Sequence, residues 1–287
     1  MRPLGKTGEH ISILGFGTAP SGTRLNLRES FNLYSEAIDM GVTYFDTAPS
    51  FAGYGKAQQQ LGYLLKHRRK DVFLVTKCWE PRGKAALKLL HQSLRELQTD
   101  YVDLVFVHSI GSDKMDYGTV FGRNGCYAAM KKAKANGLTR FVGFSGHNRP
   151  TRFVNALKSF KVDVLLNVVN FVDHYTYNFE ELVWPLASKM NVGLIAMKVL
   201  GGQGKSESKN LSHSLLSAEY HDLAFRYALS IPGVASTVIG MATRAELQQN
   251  IKRVKTFRPI NPTEIKQLEE IGRSLAKEWG PHLGTLT

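Results

Sequence analysis

Cysteine is nearly absent from this 287-residue chain, which has only Cys78 and Cys126. With no CxxC and no Cys/His spacing, neither a disulfide framework nor a zinc or iron–sulfur site is supported, and no metal is expected. Long apolar runs are missing too: no stretch reaches the ~18 residues a membrane span requires. The opening Met1-Arg2-Pro3-Leu4-Gly5-Lys6-Thr7 lacks the apolar core of a signal peptide. These absences lead us to expect a cytoplasmic protein without a membrane partner. Acidic residues are also in short supply, 24 against 37 Lys plus Arg, a net charge of +13. Such an excess attracts phosphates, but its cations are scattered over helical segments with no recognition motif, so nucleic acid is not the expected partner.

What is present is an ordinary globular composition, 43% hydrophobic and 21% charged. At roughly 150 residues per domain the length hints at two domains, yet an α/β barrel fills it as one. Short apolar, β-branched runs predict strands over Ile13–Gly17, Thr43–Asp46, Val72–Lys77, Val102–His108, Arg140–Ser145, Val164–Asn167, Gly193–Lys198 and Ser236–Ile239. Most are continuous rather than alternating, as in parallel strands covered on both faces. Helical periodicity falls between them, over Leu27–Met40, Lys56–Leu65, Gly83–Leu97, Gly125–Asn136, Arg149–Ser159, Phe179–Met190 and Ser217–Ser230, then again over Arg244–Val254 and Pro262–Trp279. Eight strands with helical crossovers predict a single (β/α)8 TIM barrel over residues 1–287, closed below by an N-terminal β-hairpin within Arg2–Ile11 and flanked by extra C-terminal helices. A doubly wound sheet is the second choice.

Barrel enzymes place their chemistry at the C-terminal ends of the strands. Here those ends read Asp46, Lys77, His108, Ser145, Asn167, Lys198 and Gly240. Each alone is as easily a surface or packing residue. Three ionisable groups finishing three consecutive apolar strands are much harder to explain that way. An Asp–Lys pair in a dry mouth sets the proton affinity of a neighbouring acid, and a His donates to a developing oxyanion.

The motifs Gly15-Phe16-Gly17-Thr18, Tyr44-Phe45-Asp46-Thr47-Ala48, Leu74-Val75-Thr76-Lys77, Asp100-Tyr101-Val102-Asp103-Leu104 and Val142-Gly143-Phe144-Ser145-Gly146, in that order, resemble the aldo-keto reductase family. Ala196-Met197-Lys198-Val199-Leu200-Gly201-Gly202 and Val238-Ile239-Gly240-Met241 resemble a bacterial branch that often carries a cysteine-rich iron–sulfur tail, whose cysteines are absent here. The resemblance implies a nicotinamide-dependent carbonyl reductase with a catalytic Asp, Tyr, Lys and His tetrad. Asp46, Lys77 and His108 match three positions. The family's tyrosine spacing after the Asp falls on Phe51, which has no proton to give. Counting back from the helix through Leu61-Gly62 and Tyr54-Gly55-Lys56 selects Tyr54 instead. On this reading Lys77, held by Asp46, lowers the pKa of Tyr54, and His108 orients the carbonyl.

Carried over in the same way, the cofactor is NADPH, with NADH possible, held by Gly17, Thr18, Asp46, Ser145, Gly146 and Asn167. Met197 covers the ring, Val199, Leu200 and Gly201 line a pyrophosphate channel, and Gly201–Gly204 closes over it. The phosphate end is expected at Gly240, Met241, Arg244 and Asn250, Arg244 being the nearest cation to a 2′-phosphate. Phe51, Trp79 and His108 face a small-molecule carbonyl substrate, with Phe121 and Tyr175 as further apolar walls. Two other classes remain. One is a catalytically weak cofactor-binding regulatory subunit of the same fold, which Phe51 favours. The other is a Schiff-base lyase using Lys77 or Lys198.

Overall fold

The computed structural model describes residues 1–202 and 214–286. Eight parallel strands close into a barrel: β1 Leu14–Gly17, β2 Tyr44–Asp46, β3 Phe73–Cys78, β4 Val102–Val107, β5 Thr139–Gly146, β6 Val164–Val168, β7 Gly193–Met197 and β8 Val234–Gly240. Each strand neighbours the next in sequence, and β8 returns to β1 with Gly240 opposite Gly17. The eight predicted strands all appear, each within two residues at either end. Their side chains are almost wholly buried, as continuous apolar runs require. Aromatic rings tie the first two strands to the helix over them: Phe16 stacks on Phe45 at 5.3 Å, and Tyr34 meets both edge-on.

Helices Leu27–Asp39, Arg244–Lys255 and Pro262–Trp279 start on capping boxes, Asn26 with Glu29, Thr243 with Glu246 and Asn261 with Glu264. The helix expected over Phe179–Met190 is two, Phe179–Leu182 and Trp184–Lys189. Pro185 explains the break, since it lacks an N–H and its ring crowds the carbonyl four residues back. Short helices at Ala19–Arg24 and Tyr117–Phe121 carry too few residues to show a period.

Below the barrel, Arg2–Pro3 pairs antiparallel with His10–Ile11. The turn is pinned to the start of β7 by Lys6 N–H donating to Asn191 O at 2.8 Å, so the hairpin closes the floor as predicted. At the opposite end, residues beyond helix Pro262–Trp279 fold back over the mouth. Leu283 N–H donates to Tyr177 Oη at 2.8 Å, and Asn148 Nδ2 donates to Thr285 O at 3.0 Å. Among the described residues, no helix is long and apolar enough to cross a membrane.

Candidate active site

Asp46 closes β2, and Lys77 points from the end of β3, one strand over. Both are buried, at 2% and 3% exposure. Lys77 Nζ lies 2.5 Å from Asp46 Oδ2, 3.1 Å from Thr47 O and 2.9 Å from Tyr54 Oη. All three ammonium hydrogens are therefore used, which leaves this lysine without the free lone pair a Schiff-base nucleophile needs. Tyr54 donates its own hydroxyl to Asp46 Oδ2 at 2.9 Å. The three side chains form a closed triangle.

Local backbone explains why Tyr54 and not Phe51 turns inward. Ser50–Ala52 makes one 3-10 turn, and Gly53 and Gly55 then take left-handed φ of +85° and +54° on either side of Tyr54. Such angles suit glycine and reverse the chain twice within three residues. Phe51 is left 58% exposed, its ring stacked over Trp79 at 6.4 Å.

Burial first, and then the Asp46 carboxylate, pushes the Tyr54 hydroxyl well above its ordinary pKa. The net shift is upward, against the lowering expected from Lys77, because burial and Asp46, which accepts the phenol's proton at 2.9 Å, outweigh the ammonium at the same distance from the oxygen. Burial lowers the Lys77 pKa, with Asp46 acting in the opposite direction. Tyr54 thus holds its proton at neutral pH and has it available to give.

His108 follows β4. Its Nδ1 is 2.8 Å from Ser145 Oγ on β5, and its ring meets Trp79 and His147 edge-on, each at 5.9 Å. Burial, then the charges of Lys77, His147 and Lys198, holds it well below the usual histidine pKa. It is a neutral imidazole at the mouth. Lys198, just past β7, adopts a φ of +56°, with its carbonyl fixed by Asn170 Nδ2 at 3.0 Å. Burial, then Lys77, lowers its pKa.

The remaining expected residues divide. Thr18 secures Asp46, its N–H and hydroxyl both donating to the Asp46 carbonyl at 3.0 and 2.9 Å. Gly17, Gly146 and Met197 end their strands around the same mouth. Asn167 is fully buried and its amide is already engaged: Trp184 Nε1 donates to its Oδ1 at 3.2 Å. Val199 and Gly201 are buried, and Gly201 packs against Trp279. Gly204, expected to close the channel, lies outside the described residues. At the far end, Gly240 closes β8, Met241 is fully buried, and Asn250 accepts from Arg253 at 2.8 Å. Arg244, the cation expected near a 2′-phosphate, is exposed, with its Nε 2.7 Å from Glu36 Oε1. Phe121 and Tyr175 are not mouth walls. Phe121 stacks on Phe160 at 4.5 Å in an aromatic cluster with Tyr127 and Phe144, and Tyr175 sits under Arg273 of helix Pro262–Trp279.

Sequence reasoning passed over Thr47, His147 and the C-terminal segment. The first two are detectable, since each lies within two residues of a strand-end candidate; the third has no local signal. Asp46 Oδ1, Thr47 Oγ1 and Trp79 Nε1 are buried without partners among the described residues. A carboxylate oxygen, a hydroxyl able to donate or accept and an indole N–H left open near the strand ends fit a ligand bearing hydroxyl and amide groups.

A model of the aldo/keto reductase family matches residues 13–216. This chain belongs to that family. As an aldo/keto reductase it is an NAD(P)H-dependent oxidoreductase. It is 28% identical to L-galactose dehydrogenase of Arabidopsis thaliana, over 98% of each chain. It is 24% identical to a probable voltage-gated potassium channel subunit beta of Oryza sativa, over 96% of this chain and 97% of that one. An aldo-keto reductase from Bacillus halodurans in its holo form shares the fold, with a TM-score of 0.75 at 22% identity over 99% of each chain.

Proposed function

We propose that this aldo/keto reductase reduces small aldehydes or ketones to alcohols in the cytoplasm, the whole chain acting as one barrel domain with Tyr54 as the general acid. The Tyr54–Lys77–Asp46 triangle carries this reading, because it couples a protonated phenol to a buried cation. Reduced nicotinamide, when bound, supplies the hydride. Ser145, Gly146 and Asn167 would hold its amide end, and Gly17, Thr18 and Met197 would border the ring. Val199, Leu200 and Gly201 would follow the pyrophosphate, with Gly240, Met241 and Asn250 at the adenosine end.

The substrate oxygen then sits against Tyr54 Oη and the His108 ring. As negative charge develops on it, Tyr54 turns its O–H from Asp46 toward that oxygen and gives up the proton. Lys77, 2.9 Å from the phenol oxygen, stabilises the phenolate left behind. Asp46 keeps Lys77 charged in its dry site. Trp79, with Phe51 stacked on it, shields the exchange from water.

Phe51, the residue that would favour a catalytically weak binding subunit, stands outside the triangle. Following nicotinamide absorbance with a panel of nitrobenzaldehydes tests the reading. Tyr54→Phe is expected to lower kcat by about 10²–10⁴-fold while leaving thermal unfolding nearly unchanged. Retention of turnover in that variant would remove Tyr54 as the acid.

A further inference from the structure

Ser145 is fully buried on β5, and among the described residues its hydroxyl has one partner, His108 Nδ1 at 2.8 Å. A serine hydroxyl carries one proton to give, and a neutral imidazole carries one on either of its two nitrogens. If Nδ1 held the ring proton and donated it to Oγ, the serine's hydrogen would be stranded in a dry interior with no acceptor, which is costly. If Oγ donates to Nδ1, both atoms are satisfied. The ring proton is then on Nε2, which has no protein partner among the described residues. The ring keeps 8% exposure at the end of its strand. Trp79 and His147, at interplanar angles of 79° and 83°, meet it edge-on and hold its plane.

We infer that Ser145 is a positioning residue that locks His108 in the Nε2–H tautomer, so that the imidazole presents a hydrogen-bond donor to the carbonyl oxygen. This rests on the reading of the mouth as a carbonyl-reducing site. It also changes the role expected for Ser145, whose only proton is spent on His108, so that toward a nicotinamide amide it can only accept. Burial and the surrounding Lys77, His147 and Lys198 support a neutral ring on which a tautomer choice exists.

Long-range ¹H–¹⁵N correlation spectra of the ¹⁵N-histidine-labelled full-length protein report the tautomer directly, without cofactor or turnover. The wild type is expected to show His108 protonated at Nε2 and bare at Nδ1. Ser145→Ala is expected to mix the tautomers and to lower kcat about tenfold or more, as a wrongly held imidazole does. Ser145→Thr, which keeps the hydroxyl, should restore both readouts. A wild-type ring protonated at Nδ1, or a Ser145→Ala spectrum identical to wild type, overturns the inference. Should Ser145→Ala fail to fold, the wild-type spectrum still decides. Absence of turnover with every carbonyl would defeat the functional reading and leave the tautomer result standing.

Discussion

At the corner of the mouth built by β2 and β3, Lys77 and Asp46 sit 2.5 Å apart, buried as an ion pair, with Tyr54 bridging them. Across the mouth, at the ends of β4 and β5, His108 and His147 are held neutral by burial and by nearby cations. One corner tolerates a dry environment by compensating charge, the other by refusing it. The first can therefore stabilise a charge that appears during reaction, and the second can donate a hydrogen bond without adding a positive charge. In the reduction we propose, proton delivery at the first corner and carbonyl orientation at the second would call for these different environments.

Removing Asp46 is expected to break this contrast most severely. Asp46→Ala leaves Lys77 as an unpaired buried cation, so denaturant unfolding should show about 3–5 kcal/mol of lost stability together with loss of turnover. A variant as stable as wild type would mean that the pair is not dry. Next comes acid. Burial, then Lys198 and Lys77, brings the His147 pKa from 6.5 down to about 3. Between those values the unfolded chain takes up a proton that the folded site refuses, so stability falls as pH drops through that window. His147→Asn should retain more of its neutral-pH stability at pH 4 than wild type does, by about 1–2 kcal/mol, in parallel unfolding curves; coincident losses would place the acid sensitivity elsewhere. The smallest effect is expected from Phe51→Tyr. Its ring is 58% exposed and outside the triangle, so kcat should stay within about twofold, and Tyr54→Phe/Phe51→Tyr should not regain activity. Recovery in that double variant would assign the acid to position 51.

The barrel was legible because parallel strands are apolar on both faces and so read as unbroken runs, whereas their ends read as abrupt polar residues. Asp46, Lys77 and His108 announce themselves in this way. The choice between Phe51 and Tyr54 was harder, since both lie in one loop and a spacing rule fails wherever residues are inserted. The glycines flanking Tyr54 were visible, but their left-handed angles were not. Arg244 shows the converse: nearest to the expected phosphate in sequence, it is claimed by Glu36 from a helix more than 200 positions away. Cys78 and Cys126, unrelated by spacing, are both buried free thiols, and the neighbouring Cys78 thiol, then burial, pushes the Cys126 pKa up.

Periodicity and composition, then, suffice for the eight strands, their order of appearance and the polar residues at their ends, because these depend on local burial pattern alone. Barrel closure decided the rest. It set Asp46 beside Lys77, placed Ser145 against His108 across two strands, and laid the C-terminal residues over the mouth. Such contacts join positions far apart in the chain, and whether a polar atom ends with a partner, a charge or neither depends on which strands become neighbours.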